Sequence, residues 1–374
     1  MARSSWAPEM LAKTTNRAEK QTRVGDRPRA VARHEPAPQA VLSPVTVVIV
    51  NHNAGRLLAD CLESVLAQAA EVVLVDNASD PERFEPVLAE FESHPRLHAI
   101  RSAENLGFAA GCNLGAELST QPLLLFLNPD CVLAAGTLPR LCESLEKNPQ
   151  AAMAGGLLTY ADGREQGGGR RAVPTPWRSF VRAFGLARLS RRWPKLFNDF
   201  HLHQQPLPQA PLSVEAISGA CMLVSRAAID DFGLMDEGYF LHCEDLDLCM
   251  RARSHGWQIL FVPDAPIVHF KGECSRERPV FVEWHKHKGM VRFYHKHFRH
   301  QYPAGLMQLV TVGVWLRFAA VVTRIQAVSA CERLRRRGAR QRFERFQGNG
   351  SSAQQTPLDH AVMPIAISTR PLTS

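Results

Sequence analysis

Several clusters of polar residues along the chain have the types and spacing for chemistry. Asn128-Pro129-Asp130 closes an unbroken apolar run, Leu123–Leu127. A carboxylate at the end of a buried strand costs free energy unless a positive group meets it, and a divalent cation suits it best. By residue type alone the same cluster equally well caps a turn. Glu244, Asp245 and Asp247 open a helical stretch directly after the aromatic pair Tyr239-Phe240. An acid beside apolar surface has a raised pKa and can act as a general base. Acids in a first helical turn also simply complement the helix dipole, and the two roles stand level on the residues alone. His269 follows another apolar run and is a candidate metal ligand, set against the commoner structural role of a lone histidine. Asn51-His52-Asn53 and Asp76-Asn77-Ala78-Ser79-Asp80 are two further polar clusters, each placed after a β-branched run.

The elements that must position these groups follow from hydrophobic period. Val45–Val50, Glu71–Val75, His98–Arg101 and Leu123–Leu127 are short apolar runs that predict strands buried on both faces. Apolar residues at helical spacing lie between them, at Leu57–Ala67 and at a helix ending over Pro86–Phe91. The alternation predicts an α/β fold with a mostly parallel central sheet. Right-handed crossovers place the ends of parallel strands on one sheet edge, so the Asn51, Asp76 and Asn128 clusters should meet in one cleft. Asn105-Leu106-Gly107 enters the next helix. Its glycines do not match Gly-x-Gly-x-x-Gly, and no P-loop motif occurs, so a bound diphosphate would need a metal ion or basic side chains. Further on, Thr137–Lys147 reads as a helix and Ala151–Leu158 as a strand. Gly167 to Gln209 reads as a mobile loop region beside the site, and Val214–Val224 as a strand interrupted at Ser218-Gly219. Gln258–Val262 is expected to be a last strand, and Glu283–His300 a basic surface helix facing an anionic acceptor.

With 374 residues, 45% of them hydrophobic, the chain can bury a large core. Its net charge of +8 is concentrated in the first forty residues, in Arg164–Arg192 and in Arg333–Arg345. Basic termini fit an anionic partner, membrane headgroups or nucleic acid by charge alone, or a solvated tail. Nine cysteines without a Cys-x-x-Cys pair, most of them in apolar runs, are expected to be reduced thiols in a cytoplasmic protein. Met1–Ala40 has no apolar core of a signal peptide. Ala304–Val322 is apolar but carries Gln308 and Arg317. The uninterrupted part is too short for a bilayer span of ~20 residues, and a helix lying on a membrane face is expected. The organisation is then a disordered basic tail at 1–43, a catalytic domain at 44–300, a helical, membrane-associated segment at 301–347 and a disordered tail at 348–374.

Taken in order, Val-Ile-Val-Asn-His-Asn (48–53), Val-Asp-Asn-Ala-Ser (75–79), Asn-Leu-Gly-Phe-Ala-Ala-Gly-Cys-Asn (105–113), Leu-Asn-Pro-Asp (127–130), Ser-Gly-Ala-Cys-Met-Leu-Val (218–224) and Phe-Leu-His-Cys-Glu-Asp-Leu-Asp-Leu-Cys-Met-Arg (240–251) resemble family 2 glycosyltransferases. The resemblance covers about Pro44 to Phe298 and is to the rhamnosyltransferase-like branch of bacterial cell-surface polysaccharide synthesis. It implies a GT-A fold and inverting transfer from a nucleoside-diphosphate sugar with Mg2+ or Mn2+. The acceptor would be a glycan or lipid-linked, with peripheral contact at the cytoplasmic face of the inner membrane and no nucleic-acid partner. It assigns the nucleotide pocket to Asn51, Asn53, Asp76, Asn77, Asn105, Gly107 and Asn128. Asp130 and His269 resemble metal ligands, with Asn128 replacing the first Asp of the usual Asp-x-Asp. Asp245 resembles the catalytic base, with Glu244 as the alternative.

Two rival functions are weighed beside it. A nucleotidyltransferase would want a Gly-rich loop with Lys or Arg near the N-terminus of the domain, and Val48–Asn53 lacks one. A catalytically inactive sugar-nucleotide-binding or scaffold protein of a membrane glycan assembly would bind donor without turnover.

Overall fold

The computed structural model describes residues 42–183, 192–193, 202–272 and 278–349. The tails expected at 1–43 and 348–374 lie almost wholly outside the described residues, as does much of the loop region before Gln209.

The first half alternates strand and helix: β1 Ser43–Asn51, α1 Arg56–Leu66, β2 Ala69–Asn77, α2 Pro81–Phe91, β3 Leu97–Ser102, α3 Phe108–Glu117 and β4 Leu123–Leu127. Then come β5 Cys131–Leu133, α4 Thr137–Glu146, β6 Ala151–Thr159, β7 Arg170–Arg171, α5 Pro176–Ala183, β8 Leu212–Ser213 and β9 Ala216–Ile217. The chain continues through β10 Cys221–Ser225, α6 Arg226–Phe232, α7 Glu244–Ser254, β11 Gln258–His269, α8 Pro279–Phe298 and α9 Ala304–Asn349. The main sheet has the order β3-β2-β1-β4-β10-β6-β11-β5, with β8 added beside β11, while β7 and β9 form a separate ribbon. Strands β1 to β4 are mutually parallel where they pair. β10 runs antiparallel to both β4 and β6, and β11 is parallel to β6. The carboxyl ends of β1, β2, β4 and β11 therefore share one edge.

β1 and β2 are buried along nearly their whole lengths because both sheet faces are covered. One core, with Leu58, Leu62 and Leu141, lies under α1, α2 and α4. The other, with Phe126, Met222 and Phe293, lies under α3, α6, α7 and α8.

α2 ends at Phe91 as the sequence predicts, and it starts at Pro81, where the Asp80 carboxylate caps the Glu82 amide at 3.2 Å and Pro81 suits a first helical turn. Three other stretches differ from the pattern in the sequence. The run 214–224 is not one interrupted strand: β9 pairs with β7 in the ribbon, and β10 pairs with β4 and β6 in the main sheet. β11 does not stop at Val262. A shift in register between Val262 and Pro266 absorbs Pro263 and lets the strand run on to His269. α8 is not a free surface helix: His287, Gly289, Phe293, Tyr294 and Phe298 are buried along one side.

α9 continues unbroken through Gln308 and Arg317. Its Ala304–Arg333 stretch, with a mean hydropathy of 1.7 over its most apolar 18 residues, is long and apolar enough to cross a membrane by length and composition. It packs on α8 through Trp284 against Trp315 (5.1 Å between ring centres) and His295 Nε2 to Thr311 Oγ1 at 3.0 Å.

Candidate active site

A cleft of about 610 Å³ opens at the shared strand edge, within the size range of small-molecule sites. Among the residues expected at the site, Asn53, Asn77, Asn105, Gly107, Asn128, Asp130, Glu244, Asp245 and His269 all line it. Asn51 and Asp76 do not. They lie one layer beneath the wall, where Asn51 Nδ2 donates to Asp76 Oδ1 and to Ser79 Oγ, both at 3.0 Å.

The asparagines act largely on the neighbouring strand ends and loops. Asn77 Nδ2 donates to Asn105 Oδ1 and to the Gly107 carbonyl at 3.0 Å, and Asn77 Oδ1 accepts from the Leu106 amide at 2.8 Å. Asn53 Oδ1 accepts from the Asp80 amide at 2.7 Å. Together these bonds tie the ends of β1 and β2 to the loop before α3. Gly107 has φ +88°, and a Cβ there would meet the Phe240 carbonyl at 2.6 Å, so only glycine lets this loop close on the segment before α7.

Asp130 follows β4 and His269 ends β11, and the two are 139 positions apart in sequence but adjacent in space. His269 Nε2 is 3.3 Å from Asp130 Oδ1, with both residues at least nine-tenths buried. The Cys131 thiol lies within 4.8 Å of both. Burial pushes that thiol well above its ordinary pKa, Sγ–H donates to the Ala220 carbonyl at 3.4 Å, and a soft sulfur ligand suits neither Mg2+ nor Mn2+. One carboxylate and one imidazole nitrogen, both fixed by strands, are a donor set that fits Mg2+ or Mn2+, with further positions left for ligand oxygens.

The acids of α7 divide into distinct environments. Two consecutive left-handed residues, His242 (φ 69°) and Cys243 (φ 74°), turn the chain into the helix. Asp245 Oδ2 accepts from the Gly219 amide at 3.0 Å and pairs with the Arg171 guanidinium. Gly219 is thus close to Asp245, whose Cβ a methyl there would meet at 3.1 Å. The glycine at this interruption admits the carboxylate of the protein itself. Glu244 is buried, and burial first and Asp245 second push its pKa up to about 8, so it is mostly protonated at neutral pH. Asp247 is fully buried. Burial alone would raise its pKa, but hydrogen bonds from His297, Lys296 and Arg251 overcome this and hold it well below the usual carboxylate range.

A family model described as Glycosyltransferase like family 2 matches residues 43–282. The chain belongs to that family. This family 2 glycosyltransferase is 29% identical over 248 residues to the N-acetylglucosaminyl-diphospho-decaprenol L-rhamnosyltransferase of Mycobacterium tuberculosis, covering 62% of this chain and 78% of the relative. It is 27% identical over 225 residues to the low-salt glycan biosynthesis hexosyltransferase Agl10 of Haloferax volcanii, covering 59% of this chain and 65% of the relative. Among solved structures, the mannosyltransferase PcManGT from Pyrobaculum calidifontis matches with a TM-score of 0.46 and 17% identity, over 79% of each chain.

Among the cleft-wall residues of this glycosyltransferase that sequence reasoning missed are Gln166 and Arg171. Arg171 falls in the stretch read as a mobile loop, and Gln166 directly precedes it. Instead, residues 165–171 form an anchored strap. Arg170, 2% exposed, is held by Glu165 at 2.8 Å and by the Gln205 carbonyl at 2.8 Å. Their partners, His269 and Asp245, are far away in sequence, so no local pattern could have found them.

Proposed function

We propose that this glycosyltransferase transfers a sugar, with inversion, from a nucleoside-diphosphate sugar to a lipid-linked or glycan acceptor of a cell-surface polysaccharide. The observation that carries this is the opening of the buried Asp130–His269 pair and the Asp245 carboxylate onto one cleft. In the reaction an acceptor hydroxyl oxygen bonds to the anomeric carbon as the bond from that carbon to the diphosphate oxygen breaks. The hydroxyl proton passes to Asp245, whose carboxylate is ordered by Arg171 and the Gly219 amide. Glu244 stays neutral beside it, which limits repulsion between neighbouring acids. Asp130 and His269 would hold a divalent cation, Mg2+ or Mn2+, and when bound it would supply positive charge for the diphosphate leaving group. Asn53, Asn77, Asn105, Gly107 and Asn128 would form the nucleotide wall, with Asn51 and Asp76 bracing it from below.

The Mycobacterium relative's name supports rhamnose as the sugar and a diphospho-polyprenol as the acceptor carrier. Such an acceptor places the enzyme at the cytoplasmic face of the inner membrane. α9 suits that position: Met307 and Val314 are buried, while Leu309 (69% exposed), Val312 and Leu316 (67%) face outward on the other side.

The test is a donor screen with the full chain, Mn2+, membrane extract as acceptor source, and a panel of UDP-, GDP- and dTDP-sugars. The expected result is nucleoside-diphosphate release from one donor, lost in Asp130→Ala and reduced by about 10²–10⁴ in Asp245→Asn. Tight donor binding with no release from any donor would sink the enzymatic reading and leave a sugar-nucleotide-binding scaffold.

A further inference from the structure

Gln166 is a polar amide with 1% exposure, placed one residue after the Thr159–Glu165 bridge. Its own amide donates to the Leu158 carbonyl at 2.8 Å, which fixes the backbone against β6. A buried side-chain amide must be satisfied on both ends. Its Nε2 faces two carbonyl oxygens, of His269 at 2.6 Å and Thr159 at 3.3 Å. Carbonyls only accept, so this end of the amide is the NH2 and the other end is the oxygen. That oxygen lies 2.9 Å from His269 Nδ1. Because Oε1 cannot donate, Nδ1 must carry the hydrogen, and a neutral imidazole then keeps its lone pair on Nε2. Nε2 is the atom 3.3 Å from Asp130 Oδ1. In that tautomer the Nε2 lone pair and the Asp130 carboxylate face one point, where both can ligate a cation.

We propose that Gln166 is a positioning residue of the metal centre: it holds His269 in the tautomer whose Nε2 lone pair faces Asp130, and thereby sets the affinity for a divalent cation. This rests on the metal-site reading above. Gln166 also lies in the strap that ends in Arg171, the partner of Asp245, so one short segment braces both chemical halves of the cleft.

The experiment measures Mn2+ binding to the full chain by electron paramagnetic resonance, alone and with UDP, GDP or dTDP. It compares wild type, Gln166→Met, Gln166→Glu and His269→Ala. Removing an outer partner of a ligating histidine typically costs 10–100-fold in metal affinity. Gln166→Met, close in size but without an amide oxygen, is expected to weaken Mn2+ binding by about that factor. Gln166→Glu, protonated where it faces the His269 carbonyl, keeps both an acceptor for Nδ1–H and a donor for that carbonyl, and is expected to stay within a few-fold of wild type, which a loss of packing would not produce. Long-range 1H–15N spectra of the intact wild-type chain add a readout that needs no variant, and the hydrogen is expected on Nδ1 of His269. Wild-type Mn2+ binding that survives Gln166→Met within twofold, or an Nδ1 of His269 that carries no hydrogen, overturns the role of Gln166 alone. A wild-type chain that binds Mn2+ no better than His269→Ala in every mixture overturns the metal reading, and this inference with it.

Discussion

Glu244 and Asp245 are neighbours in sequence with opposite surroundings. Asp245 meets a guanidinium and a backbone amide, whereas Glu244 is enclosed beside a second carboxyl and has its pKa pushed up to about 8. A folded-state pKa above the unfolded one means that the native chain holds a proton that the unfolded chain has lost. The associated stability is fully present below the unfolded value near 4.5 and is lost as pH rises through about 8. Urea unfolding at pH 5.5 and 8.5 should therefore show a decline in wild type that is markedly smaller in Glu244→Gln. The neutral amide resembles the protonated acid, so Gln at this position should also retain most donor turnover at pH 7. An equal decline in both proteins would mean that Glu244 is ionised when folded.

α7 is locked to α8 through Asp247. This carboxylate is fully buried and pairs with Arg251 at 2.8 Å on its own helix and with Lys296 at 2.7 Å and His297 at 2.8 Å on α8. Since α7 also carries Glu244 and Asp245, the network sets where these acids stand in the cleft. Breaking a buried ion pair by removing one partner leaves an uncompensated charge and costs about 3–5 kcal/mol. Asp247→Asn should lower the unfolding free energy by about that much, read from the urea midpoint at constant slope. Because the Asp247 pKa is depressed on folding, its contribution is present above the unfolded value near 3.8 and disappears as pH falls. The sequence showed three acids in one helical turn but not this division of labour, since it arises from partners on another helix.

For the whole molecule, the fold places the cleft at one sheet edge and leaves an outward apolar face on α9. If that face meets lipid, the chain should co-sediment with vesicles of anionic phospholipid, and less so as salt is raised. Leu309→Glu combined with Leu316→Glu should reduce binding several-fold while leaving donor release in detergent unchanged, because neither residue lines the cleft. Salt-independent solubility of the wild type, with no vesicle binding, would remove the membrane from the proposal.

The order of strands and helices up to β4 was legible in the sequence because it depends on local period. The β-branched runs, the polar clusters that end them and the helical spacing of Leu58, Leu62 and Val65 all act within a few residues. For the same reason the convergence of Asn53, Asn77 and Asn128 on one edge followed from parallel pairing alone. What required the tertiary structure was every contact made across long separations. Pairing of His269 with Asp130, orientation of His269 by Gln166 and clamping of Asp245 by Arg171 each join segments 74 or more positions apart. The extension of β11 to His269 past two prolines was likewise decided by its partner β6, against local propensity. A sequence states which groups are available, but the energies that orient buried polar groups come from neighbours that only the folded chain supplies.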